Sequence, residues 1–142
     1  MFRNQTVKDV MNKKIVTVES DISIWQATNK MRTSNVGCVV VLEDKNIVGV
    51  FSERDLVSKV LPKRYDVDKT KVSEVMTSPV ITVTADLSLS DVVYITATRY
   101  IRHLPVLSDS GKLVGMVSMR DLLYLIVNQL LKENYLQIKT GT

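Results

Sequence analysis

GVFSERDLV at residues 49 to 57 returns as GMVSMRDLL at residues 115 to 123, and each copy is preceded by the same succession of apolar runs and turns. Working outward, VKDVM ending at Met11 matches VSEVM ending at Met76, an offset of 65, whereas Asp55 matches Asp121 at an offset of 66. One residue has been gained between these anchors, in the turn where EDKN faces SDSGK. IVTVESDIS (15 to 23) corresponds to VITVTADLS (80 to 88), and VGCVVVLED (36 to 44) to IRHLPVLSD (101 to 109). A period this regular governs the fold. It divides the chain into a first domain at 7–61, a linker at 62–71, a second domain at 72–135 ending in a long helix, and a tail at 136–142.

Each copy begins with a short helical turn and an extended β-branched piece. A helix follows, entered through Asp21 and Ser23 or Asp86 and Ser88, which suit N-terminal caps. Apolar residues at Ile24, Ala27 and Met31, and at Leu89, Val92, Val93 and Ala97, fall at helical spacing and predict one buried face. Two strands joined by a short polar turn come next, then a closing helix after SERD or SMRD. The expected class is α/β (α+β), with β-α-β-β-α occurring twice. The two copies are expected to pack about a pseudo-two-fold axis, with their sheets facing across a cleft. The last helix, DLLYLIVNQLLKENYL, is apolar around more of its circumference than one core needs, which predicts a homodimer.

Composition narrows the function classes. With 142 residues, 45% of them hydrophobic, the chain can bury a core but is expected to carry no third domain. Its single cysteine, Cys38, lies in an apolar run and predicts a buried thiol in a reducing compartment. The run LLYLIV is too short for a bilayer span and MFRNQTVK lacks a signal-peptide core, so the expected location is cytoplasmic, without membrane attachment. A net charge of +4 permits an anionic partner. Its densest basic cluster, KRYDVDKTK (63 to 71), reads first as a solvated linker. With only 6% aromatic residues and no nucleic-acid-binding motif, nucleic acid is possible but not favoured. Catalytic phosphate-loop, zinc-protease and nucleophile-elbow motifs are missing and there is one histidine, so no enzyme is expected, and neither a metal nor a bound cofactor.

In Ser52-Glu53-Arg54-Asp55 and Ser118-Met119-Arg120-Asp121, a Ser stands three residues before an Asp and ahead of an apolar helical run. That is a capping-box pattern. The same four residues could also take an anion and a sugar: a helix start with a hydroxyl and an adjacent Arg favours phosphate, and one carboxylate accepts from both hydroxyls of a ribose.

The β-α-β-β-α order, the VMTSPVITV opening, the IRHLPVL strand and the doubled G-h-h-S-x-R-D-L closing motif together resemble a tandem pair of cystathionine β-synthase (CBS) domains. The resemblance spans about nine tenths of the chain. It implies an adenosyl ligand, AMP, ADP, ATP or S-adenosylmethionine, in the inter-repeat cleft. It implies that Asp55 and Asp121 hold ribose, that Ser52 and Ser118 touch ribose or phosphate, and that Ile15, Val16, Thr17, Val80, Ile81 and Thr82 line the base pockets. Thr17 and Thr82 are equally good β formers without any ligand. Arg54 and Arg120 are weaker candidates, since they could lie on the helix exterior. Arg102 and His103 are implied as phosphate contacts paired with Asp55 across the cleft, although a lone His is more often structural. Gly37 and Cys38, the matched positions of copy one, bring no charge. A phosphate-bearing nucleotide is therefore expected to prefer the Asp55 cleft. The function implied is a ligand-responsive regulator of an unidentified protein partner in trans. A dimerising interaction module without ligand and a non-specific nucleic-acid binder are the alternatives.

Overall fold

The computed structural model describes residues 2–132; the expected end of the last helix at Tyr135 and the tail at 136–142 lie outside the described residues. Along the chain run β1 (Thr17–Glu19), α1 (Ile24–Ser34), β2 (Cys38–Glu43), β3 (Asn46–Ser52), α2 (Glu53–Asp55), β4 (Val83–Thr84), α3 (Leu89–Arg99), β5 (His103–Leu107), β6 (Leu113–Ser118) and α4 (Met119–Lys132). Each copy thus has the mixed α/β order expected, and each forms a three-stranded sheet, β1-β2-β3 or β4-β5-β6. The first pair in each sheet is parallel and the second antiparallel, with a register irregularity at Val41/Leu42 matched at Val106/Leu107. The inserted residue falls in the hairpin turn. Copy one turns on Asp44 and Lys45, both at positive φ, which matches the twist of its strands, while copy two uses a longer loop with Gly111 at φ 82°.

The compact units are not the sequence repeats. One comprises Lys14–Ile81 and the other Met1–Lys13 with Thr82–Thr142, so the two copies have exchanged their opening turns. Val72 and Val75 are buried with Val18, Ile24, Met31, Val39, Val41 and Phe51, although they open copy two. Val7 is buried with Val83, Leu89, Val92, Leu104 and Val106, although it opens copy one. Backbone bonds fix the exchange: Val72 N donates to Ile22 O at 2.8 Å and Val7 N to Leu87 O at 2.9 Å. Each opening then runs beside the last strand of its unit. Thr77 and Val50 exchange two backbone hydrogen bonds (2.8 and 3.0 Å), and so do Asn12 and Met116 (2.8 and 3.0 Å).

Gly49 and Gly115 make room for these openings. A Cβ on Gly115 would lie 2.6 Å from Met11 Sδ and 3.0 Å from its Cγ, and one on Gly49 would lie 2.8 Å from Met76 Cγ. The glycine that starts each closing motif therefore seats the methionine that ends the other copy's opening.

Helix α1 starts on a full capping box between Ser23 and Gln26 and buries Ile24, Ala27 and Met31, as expected. Ser88 caps α3, which buries Leu89 and Val92. Its third buried residue is not the expected Ala97, which is exposed, but Thr96, whose hydroxyl donates to Val92 O at 2.7 Å. An intrahelical acceptor removes the cost of burying that hydroxyl. The linker also differs from a purely solvated one. Tyr65 and Val67 pack on the core, and Trp25 N donates to Val67 O at 2.9 Å, while Lys63, Lys69 and Lys71 remain exposed.

Candidate functional site

The two SxRD motifs are built alike and surrounded differently. Each Ser ends a last strand and each Asp lies in the first turn of a closing helix. Gly37 O accepts from Glu53 N at 3.0 Å, and Arg102 O accepts from Met119 N at 2.9 Å. Cys38 is registered against Ser52 and His103 against Ser118. The candidate pairs Gly37–Cys38 and Arg102–His103 thus adjoin the motif of their own unit, and only the second brings positive charge.

In copy two, Asp121 Oδ2 accepts from Ser118 N (2.8 Å) and Ser118 Oγ (2.6 Å), while Asp121 N donates back to Ser118 Oγ (3.2 Å). Asp121 is half-buried, and its other oxygen takes no bond from any described residue. This carboxylate is fixed by one oxygen and offers the other, at the start of the 14-residue α4.

In copy one, Asp55 is only 3% exposed. Its Oδ2 accepts from Ser52 N (2.9 Å) and Ser52 Oγ (3.2 Å), and its Oδ1 from Thr77 Oγ1 at 2.8 Å. Lys59 Nζ forms an ion pair with the same Oδ1 at 3.0 Å. Lys59 Nζ lies 3.3 Å from both Val75 O and Met76 O and 3.1 Å from Thr77 Oγ1, tying the closing helix to the exchanged opening. The helix widens there into a π-type turn, Leu56–Val60, in which Leu61 N reaches Leu56 O. Both oxygens of Asp55 are thus engaged within the protein, which weighs against the expected preference of a nucleotide for this carboxylate.

The remaining candidates fall around these anchors. Ile15 and Val16 precede β1 and are half-buried, Thr17 begins it and is exposed, and Val16 O accepts from Val40 N at 3.0 Å. Val80, Ile81 and Thr82 precede the short β4, with Ile81 exposed and the other two half-buried. Arg54, Arg120 and Arg102 are exposed, so their guanidinium groups are accessible to an anion. His103 is half-buried. Burial, with the Asp55 carboxylate adding to it, pushes the Cys38 thiol up to about 12, leaving it protonated and a poor nucleophile.

Sequence reasoning missed Lys59 and Thr77. Lys59 had a signal, its i+4 spacing from Asp55. Thr77 had none, because it reaches Asp55 only through the exchange of openings. No group of three His, Cys, Asp or Glu able to hold a metal occurs among the described residues, and no helix among them is long and apolar enough to cross a membrane.

Comparison with known proteins gives this geometry its context. The CBS domain family model matches residues 7–62 and 72–128. The CBS domain-containing protein YhcV of Bacillus subtilis is 33% identical over 129 residues, covering 91% of this chain and 89% of its own length. An uncharacterized protein of Methanopyrus kandleri is 34% identical over 123 residues, covering 86% of this chain, which in turn spans 63% of that relative. Among solved structures, the CBS domain pair of protein MJ0100, in complex with 5'-methylthioadenosine and S-adenosyl-L-methionine, is similar with a TM-score of 0.80 and 26% identity, covering 89% of this chain and 99% of that one. The family model matches both repeats, and the chain belongs to the CBS domain family as a tandem pair.

Proposed function

We propose that this CBS pair binds an adenosyl ligand, with AMP, ADP, ATP and S-adenosylmethionine as the candidates, and regulates a protein partner in trans without catalysing a reaction. The observation that carries the reading is the Asp121 carboxylate, fixed through Oδ2 by Ser118 and open at its other oxygen. A ribose hydroxyl can donate to that oxygen at little cost, because the carboxylate is already oriented and partly desolvated. Thr82, before β4 of the same unit, supplies backbone for the base, and Arg102 and Arg120, both exposed, supply positive charge for a phosphate. A related pair that holds methylthioadenosine and S-adenosylmethionine supports the ligand class. Regulation requires that the ligand bind two states of the protein unequally.

The test is the thermal midpoint with each candidate and with GTP. At a hundredfold excess over the dissociation constant, binding adds about 2.7 kcal/mol, or roughly 5 to 10 °C for a chain of this size. A shift with an adenosyl compound that is lost in Asp121→Ala supports the reading; no shift with any compound overturns it.

A second reading, a homodimer built on the closing helices, is favoured by matched exposure. Val57 and Leu61 are each 67% exposed, and their counterparts Leu123 and Val127 are 59% and 39% exposed. Each unit exposes an apolar face on its own closing helix, and pairing these faces with those of a second copy would remove them from water. Light scattering should give twice the monomer mass, reduced to the monomer mass by Leu123→Glu with Val57→Glu. A wild-type monomer at micromolar concentration refutes the dimer.

A further inference from the structure

Asp55 and Asp121 occupy equivalent positions, but their second oxygens meet different chemistry. Lys59 and Thr77 bond Asp55 Oδ1 at 3.0 and 2.8 Å, and the residues at the matched positions of the other repeat and opening are Leu125 and Asn12. Leu125 cannot neutralise a carboxylate; it packs on the core of its unit. We infer that Lys59 and Thr77 are internal occupants of the ribose position of copy one, so that the protein takes one adenosyl ligand per chain, at Asp121. The inference rests on the adenosyl reading and assigns that ligand its carboxylate and its stoichiometry.

The physical reason is the exchange a ligand would have to make. At Asp55, ribose hydroxyls must replace a charged ammonium and a threonine hydroxyl on a carboxylate that is 3% exposed. A neutral hydroxyl on a carboxylate makes a weaker bond than an ammonium there, and Lys59 would be left with only neutral acceptors, the carbonyls of Val75 and Met76 and the Thr77 hydroxyl, for its charge. At Asp121 the bonds from described residues go to Oδ2, so a ligand at the other oxygen displaces none of them. Lys59 also holds Val75 O and Met76 O, so releasing it would loosen the seat of the exchanged opening.

Isothermal titration with AMP, ADP, ATP and S-adenosylmethionine tests this. The wild type is expected to bind one equivalent per chain, weakened roughly tenfold or more in Asp121→Ala, as loss of a charge-assisted bond requires, and changed less than about threefold in Asp55→Asn. Lys59→Met should gain a second equivalent that Asp55→Asn then removes. If Lys59→Met does not fold, Asn12→Thr with Leu125→Lys, which installs the same occupants beside Asp121, should abolish wild-type binding. Two equivalents in the wild type, one equivalent lost in Asp55→Asn and kept in Asp121→Ala, a folded Lys59→Met without a second equivalent, or undiminished binding in the Asn12/Leu125 variant would each overturn this inference alone. No binding by the wild type or by Lys59→Met overturns the adenosyl reading, and this inference with it.

Discussion

The exchange of openings can be tested by asking which methionine answers to which glycine. Gly115 lies outside the left-handed region, so alanine is conformationally admissible there and the cost of Gly115→Ala is steric. Its new methyl would sit 2.6 Å from Met11 Sδ, 3.0 Å from Cγ and 3.2 Å from Cβ, against about 3.5 to 4.0 Å for an unstrained carbon contact. Because three atoms of one side chain are involved, a rotation of the Met11 tip does not clear the overlap. Gly115→Ala should cost about 2 kcal/mol, within the range for overpacking. Met11→Ala, which empties a partly buried site, should cost about 1.5 kcal/mol. In the double variant the new methyl occupies part of the vacated space, so its cost should fall short of the sum by about 1 kcal/mol or more. The assay is equilibrium urea unfolding of the wild type, the two single variants and the double, completed by Gly115→Ala with Met76→Ala. That last pair belongs to different units and should be additive within about 0.5 kcal/mol. Additivity of Gly115 with Met11, or coupling of Gly115 with Met76 in its place, would refute the exchanged arrangement.

Other consequences follow from single sites. With the Cys38 thiol raised from 9.0 to about 12 in the fold, the native state holds a proton that the unfolded chain releases. Stability should therefore be unaffected by this group below pH 9 and fall from pH 9 towards 12, by up to about 1.4 kcal/mol per pH unit; chemical denaturation at pH 8, 9.5 and 10.5 should show a smaller fall in Cys38→Ala. The same thiol should react slowly with a maleimide at pH 8 until the protein is unfolded. Tyr100 ends α3 at φ 54°, where α1 uses Asn35 at φ 53°, so Tyr100→Asn should raise stability by roughly 0.5 to 1 kcal/mol, read as a higher urea midpoint. Ser23→Ala removes the cap oxygen that Gln26 N donates to at 3.1 Å and should lower stability by about 1 kcal/mol.

What the sequence made legible were the features that both copies state. Strand order, hairpins and the caps at Ser23 and Ser88 follow from local pattern and appear in both copies, and the buried face of α1 follows from its spacing. Ala97 was misplaced because small residues satisfy helical spacing on either face; Thr96 took the buried position once its hydroxyl found Val92 O. The linker was read by its charge, yet its backbone is held along the start of α1 through Val67 and Thr70. The exchange of openings left no local trace. A turn such as Val7–Asp9 or Val72–Glu74 has the same sequence signature whichever unit it enters, and only the burial of Val7 or Val72 shows the destination.

This exchange also explains why two motifs with the same Ser, Arg and Asp need not act alike. The closing motif brings its own Ser and its own helix, so the capping bonds are fixed by the repeat and occur in both units. The group beside the second carboxylate oxygen comes from elsewhere: from one turn further along the helix, where Lys59 faces Leu125 in the alignment, and from the other copy's opening, where Thr77 faces Asn12. Those positions lie outside G-h-h-S-x-R-D-L and are free to diverge while the motif is kept. Lys59 bonded to Asp55, Thr77, Val75 and Met76 makes that carboxylate part of the scaffold, joining the closing helix to the exchanged opening. No ion pair to the half-buried Asp121 occurs among the described residues, and under the proposed reading its other oxygen takes the outside donor. The duplicated motif thus supplies two oriented carboxylates, and neighbours beyond the motif decide which of them is already engaged.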